Sequence, residues 1–102
     1  MYNGVYAIDE LRVKIGEILS TFPVKKATLF GSYAKGEATE KSDIDLVIDS
    51  EGQIRGLDFF EVRADLEEKL NKQVDLIEQR TIIKDGIAEK EILETGVTIY
   101  EA

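Results

Sequence analysis

Two aspartates, two residues apart in an apolar run and preceded by a glycine–serine turn, constrain this chain more than any other feature. From Leu29 to Ile48 it reads Leu-Phe-Gly-Ser-Tyr-Ala-Lys-Gly-Glu-Ala-Thr-Glu-Lys-Ser-Asp-Ile-Asp-Leu-Val-Ile. The pattern predicts a strand, a glycine turn, a very short helix, a loop and a second strand. Strand residues alternate between faces, so Asp43 and Asp45 project together while Ile44, Leu46 and Ile48 point the other way. Gly31 permits a tight turn and the close approach of a bound group. Ser32 is placed to cap the short helix, whose free amides form a natural phosphate site. Gly36 suits the left-handed position that ends such a helix. Aspartate is rare in strands because it packs and pairs poorly on a pleated surface. Asp43, Asp45 and Asp75 are nonetheless embedded in Ile, Leu and Val runs. Gathering three carboxylates costs repulsion that a divalent cation removes, and magnesium takes carboxylates together with phosphate oxygens. A phosphate cradle beside a paired-carboxylate magnesium site is what nucleotide transfer from a triphosphate requires.

The rest of the chain supplies elements to hold that stretch. Asp9 is placed as a helix cap, and Leu11, Ile15, Ile18, Leu19 and Phe22 form one apolar stripe ended by Pro23, the only proline. Tyr2 and Tyr6 are left free to pack or fray. Strands are expected over Val24 to Phe30 and about Asp43 to Asp49, the latter followed by a loop from Glu51 to Gly56. The lysine pair Lys25-Lys26 and Asp49 are read as solvated strand ends. A second helix from Leu57 to about Leu70 would bury Phe59, Val62, Leu66 and Leu70, with Phe60 and Ala64 widening the stripe. Gln73 to Gln79 is a third strand, with Val74 and Leu76 alternating with Asp75 and Ile77. A last helix from Ile82 to Thr95 would bury Ile83, Ile87, Ile92 and Leu93, with Gly86 interrupting it and Gly96 capping it. Val97 to Tyr100 closes the chain as a short strand.

At 102 residues this is expected to be one domain over 1–102, able to bury a single core. No stretch approaches the roughly 18 apolar residues of a membrane span, and no basic-then-apolar signal segment opens it. A cytoplasmic protein with no membrane attachment is therefore expected. It has no cysteine, which excludes disulfides, thiolate catalysis and zinc fingers, and no histidine, the commonest general base. Chemistry must rest on carboxylates, lysines, tyrosines, hydroxyls and bound ions. The net charge of −8 opposes direct nucleic-acid binding and favours a basic protein partner or simple solubility. A calcium EF-hand fails because Ile48 stands at the required glycine and Ile54 at the closing glutamate. Neither a Walker Gly-Lys-Ser/Thr nor a G-x-G-x-x-G motif is present.

Gly31-Ser32, ten intervening residues and Asp43-x-Asp45 resemble the signature of the minimal nucleotidyltransferases, within the DNA polymerase β superfamily. The resemblance runs from the helix before the first strand to the last apolar run. It implies the palm core of that superfamily, a two-layer α/β (α+β) fold with a mixed sheet flanked by helices. It implies ATP as substrate and two Mg2+ ions, replaceable by Mn2+, in a centre where such ions lie about 3.5–4 Å apart. Asp43 and Asp45 would bridge both ions. Asp75 would bind the ion beside the acceptor and take the acceptor's proton. Gly31 and Ser32 would hold the nucleotide, and Lys35 would steady its phosphates as a point charge or simply face solvent. Tyr33 stands where many relatives carry arginine, either facing a base or covering the turn.

Minimal nucleotidyltransferases of this kind are commonly paired with a HEPN-family protein, a helical toxin ribonuclease. The implied function is that of an antitoxin, transferring AMP from ATP to a tyrosine hydroxyl on that partner. The chain is too short for the fingers, thumb or acceptor domains of larger relatives, so the partner is expected to complete the cleft. Two other readings stand beside this one: nucleotidylation of a small molecule or another protein, and a non-catalytic module that neutralises its partner by binding. The intact Asp43, Asp45 and Asp75 set argues against the second. The Val97 to Tyr100 strand would offer an exposed edge for a homodimer.

Overall fold

The computed structural model describes residues 4–102; Tyr2 lies outside them. In chain order the elements are α1 (Ile8–Leu19), β1 (Lys26–Phe30), α2 (Gly31–Lys35), β2 (Ile44–Asp49), α3 (Leu57–Leu70), β3 (Val74–Glu78), a 3-10 turn (Gln79–Thr81), α4 (Ile87–Thr95) and β4 (Val97–Glu101). The strands form one mixed sheet in the order β3-β2-β1-β4. β1 pairs antiparallel with β2 and β4, whereas β2 and β3 run parallel. A parallel pair needs a crossover, and α3 supplies it.

One sheet face carries the core. Ala27 and Leu29 of β1, Ile44, Leu46 and Ile48 of β2, Val74 and Leu76 of β3, and Ile99 of β4 all point into it. α1 adds Leu11, Ile15 and Leu19, and α3 adds Val62, Leu66 and Leu70. Of the predicted stripes, Leu11, Ile15 and Leu19 in α1 and Val62, Leu66 and Leu70 in α3 are the fully covered residues, while Ile18, Phe22 and Phe59 are half-buried. Tyr6 packs rather than frays: it is buried, and its hydroxyl donates to the Leu70 carbonyl at 2.8 Å. α4 lies on the opposite face, where Ile92 and Leu93 line a cavity of about 380 Å3 together with Thr28 and Val47.

Several local expectations are corrected. α1 starts at Ile8 rather than behind Asp9, because Glu10 reaches back to accept from the Ala7 amide at 3.0 Å. It ends at Leu19, before Pro23. β1 begins at Lys26, two residues later than expected. Phe60 and Ala64 are exposed, since the buried stripe of α3 is narrow; Phe59 is half-buried and meets Phe60 edge-on, with ring centroids 6.1 Å apart. α4 begins at Ile87, with Gly86 as its N-cap instead of an interruption. The largest departure concerns the apolar residues of the predicted Ile82 to Thr95 helix: Ile83, which precedes α4, and Ile87 and Leu93 within it are 77%, 83% and 78% exposed. The outer sheet face offers α4 only a small apolar footing around Thr28 and Val47, so just one side of the helix can be covered.

Candidate active site

The Gly31 turn is built as the sequence implies at its ends and differently in its middle. Gly31 has φ +73°, a left-handed conformation in which a side chain is strained. Gly36 closes α2 at φ +74°. Phe30, not Ser32, is the N-cap of α2, and Ser32 is the second residue inside the helix. Its hydroxyl therefore does not cap the helix, which removes that reason for a serine at this position. Lys35 is exposed in the last turn. Tyr33 covers the turn: it is 3% exposed, and its hydroxyl has no hydrogen-bond partner among the described residues.

The group that approaches Gly31 belongs to the chain itself. A Cβ built on Gly31 would overlap Oδ2 of Asp45 and stand 3.1 Å from its Cγ. The strand register explains the approach, since Phe30 pairs with Asp45 across β1 and β2, leaving Gly31 at the carboxylate's flank. On its other side Asp45 is in register with Asp75 across the parallel β2–β3 pair. Paired residues share a face, so both carboxylates stand on the side of the sheet away from the core. Asp43 precedes β2 by one residue and falls on the same parity, two positions from Asp45.

This crowding is visible in the charge of Asp45. Its carboxyl is pushed from 3.8 up to about 6, first by burial and then by the negative fields of Asp75, Asp43 and Glu91. Glu91, on α4, contributes without any signal in the sequence; only the packing of α4 over the outer face brings it near. The ion pairs of the described residues all lie elsewhere, so no lysine or arginine neutralises the group through one. The donor set is made of carboxylate oxygens, which suits a hard divalent cation in kind. The three side chains are not closed around a point, however: among the described residues, no three acidic groups stand close enough to hold an ion. Substrate phosphate oxygens are the usual complement of a magnesium shell of this sort.

The loop that delivers Asp43 is internally fastened. Ser42 N–H donates to the Thr39 carbonyl at 3.0 Å, and Thr39 N–H donates to Ser42 Oγ at 2.9 Å. At the next residue, Ile44 N–H donates to the Gln73 carbonyl at 3.0 Å, fastening the start of β2 to the approach of β3. Asp49, at the far end of β2, accepts from the Glu51 amide at 3.1 Å and lies away from this cluster. Lys25 pairs with Glu51 at 3.3 Å, beside the same strand end.

Comparison with known proteins agrees with this arrangement. The family described as Polymerase beta, Nucleotidyltransferase matches residues 13–102. The protein adenylyltransferase MntA of Thermococcus cleftensis is 38% identical over 78 residues, covering 76% of this chain and 78% of that protein. The fold recurs in the crystal structure of a toxin–antitoxin with AMP-PNP, at a TM-score of 0.77 and 22% identity over 89% of this chain and 73% of that one. It recurs again in the tri-AMPylated Shewanella oneidensis HEPN toxin in complex with MNT antitoxin, at a TM-score of 0.71 and 20% identity over 93% and 73%. At those identities the two structures speak for the fold alone.

Proposed function

Given that the chain belongs to the polymerase β nucleotidyltransferase family, we propose that it transfers AMP from ATP to a tyrosine hydroxyl of a HEPN-family toxin and thereby acts as its antitoxin. The observation that carries this reading is the alignment of Asp45 with Asp75 beside Gly31, on the sheet face away from the core. The relatives named as protein adenylyltransferases support the chemistry, and the toxin–antitoxin complexes of the same fold support the partner.

In this reading Gly31 and Ser32 present the start of α2 to the triphosphate, with the exposed Lys35 as a point counter-charge. Asp43, Asp45 and Asp75 would hold two magnesium ions, for which manganese can stand in. Such ions supply charge neutralisation to the phosphates and acidify the attacking hydroxyl. The acceptor oxygen attacks the α-phosphorus; a new P–O bond forms as the bond to the β-phosphate breaks, and pyrophosphate leaves. Asp75, exposed on the edge strand β3, receives the hydroxyl proton. The exposed apolar residues of α4 and the chain's −8 charge suit a protein acceptor with basic surface.

No helix among the described residues is long and apolar enough to cross a membrane. A cytoplasmic reaction, where ATP is supplied, is part of the proposal. β4 leaves one edge of the sheet open, and pairing of two copies along it is a further part of the proposal, read out by sedimentation. The test of function is incubation with ATP labelled in its α-phosphate, a divalent ion and a HEPN-family toxin of the kind seen in the complexes of this fold. Label should become covalently bound to a partner tyrosine only with the ion present. Tight binding of the partner with no label transferred would replace the enzyme by a non-catalytic binding module.

A further inference from the structure

Lys72 lies three residues before Asp75, in the short connection between α3 and β3. Its side chain does not face solvent freely. Nζ donates to the Glu40 carbonyl at 2.8 Å and to the Ser42 carbonyl at 3.4 Å, and it stands 6.0 Å from the centroid of the buried Tyr33 ring. The Ser42 carbonyl belongs to the peptide bond that leads into Asp43. One ammonium group thus bonds to the loop that delivers Asp43 and faces the Tyr33 ring of α2, from a backbone position on the approach to Asp75.

We propose that Lys72 is a positioning residue that sets Asp43 relative to Asp75, a role that rests on reading those aspartates as the metal ligands. The like charges of this cluster repel one another in the metal-free protein, and the flanking loop must resist being pushed outward. Two fastenings oppose that motion. The Ile44–Gln73 backbone bond holds the start of β2. The Lys72 ammonium holds the peptide one step earlier, where no strand ladder reaches. An ammonium suits this second place, because its three donors serve two carbonyls at once. The sequence contains no local signal for it: the bonds run 30 and 32 residues back along the chain.

The experiment compares the full chain with Lys72→Met and Lys72→Arg. For Lys72→Met, the manganese concentration giving half-maximal label transfer should rise about 10–100-fold, the usual cost of losing a group that orients a metal ligand. The KM for ATP should stay unchanged, and Lys72→Arg, which keeps donors and charge, should recover most of the loss. In parallel, amide hydrogen exchange of the metal-free chain should be faster at residues 40–44 in Lys72→Met. A wild-type manganese requirement, or unchanged exchange in that loop, would overturn the proposal. If the wild type itself transfers no label, the adenylyl-transfer reading fails separately, and the exchange measurement alone decides whether Lys72 holds the loop. Lys72→Gln, neutral and too short to span both carbonyls, serves the same comparison should the methionine variant fold poorly.

Discussion

The carboxylate of Asp45 fills the space where any residue other than glycine would carry its Cβ at position 31. Gly31 is therefore required twice, by its φ of +73° and by its neighbour across the strand pair. The turn and the candidate ligand are one unit, and a change in either displaces the other.

Gly31→Ala should show this coupling. The left-handed backbone alone costs about 1–2 kcal/mol for a residue with a Cβ. Asp45 must also move, so transfer activity should fall much further than the drop in melting temperature would explain. Full activity in a moderately destabilised Gly31→Ala protein would show that Asp45 tolerates displacement and is not a ligand.

Asp45 should make the metal-free protein's stability depend on pH with a defined sign. Its carboxyl titrates near 6 when folded, against 3.8 unfolded, so between those values the folded state binds the proton more tightly. The stabilisation from that proton is complete below about pH 3.8 and is lost as pH rises through about 6. Asp45→Asn should accordingly melt above the wild type at pH 7, with the advantage shrinking toward pH 4. Thermal melts of both proteins across pH 4–8 check this, and parallel curves would deny the crowding of charge at Asp45.

Magnesium should reverse the order of those two proteins. An ion bound only by the folded state stabilises it by about 2.7 kcal/mol at a hundredfold excess over its dissociation constant. With ATP present to complete the shell, the wild type should gain and Asp45→Asn should gain little. Melting temperatures indifferent to magnesium and ATP in both proteins would leave the three aspartates without a cation.

Ser32→Ala bears on the nucleotide cradle. Because Ser32 sits inside α2 and does not cap it, the fold should lose almost nothing. Loss of a hydroxyl contact to phosphate should weaken ATP binding by roughly 0.5–1.5 kcal/mol, or somewhat more for a charged acceptor. Calorimetry with a non-hydrolysable ATP analogue measures it, and a stability loss with unchanged affinity would return the serine to a purely structural role.

Tyr33→Phe tests whether that side chain faces a base or the protein interior. Its hydroxyl is buried without a partner, a situation that costs roughly 1–3 kcal/mol when no hydrogen bond compensates. The phenylalanine protein should be at least as stable as the wild type and should transfer label at the same rate. Weakened ATP binding in Tyr33→Phe would instead place the hydroxyl in the nucleotide site.

What could be read from the chain alone was whatever depends on near neighbours. Alternating Ile44, Leu46 and Ile48 against Asp43 and Asp45 determines both the strand and its two faces, because side-chain direction in a strand is set by parity. Gly36 after a five-residue helix, and the stripe of Leu11, Ile15 and Leu19, are likewise short-range facts. The tertiary structure decided everything that depends on which distant segments meet. It set Asp45 against Asp75 through a parallel register formed across α3. It gave Gly31 its close neighbour and turned Tyr33 inward, and it brought Glu91 and Lys72 to the cluster from α4 and the β3 approach. It also left Ile83, Ile87 and Leu93 uncovered, although their apolarity alone predicts burial. The physical reason is common to all of these: local sequence fixes which way a residue points along its own element, whereas burial and electrostatic environment depend on what the folded chain places opposite it.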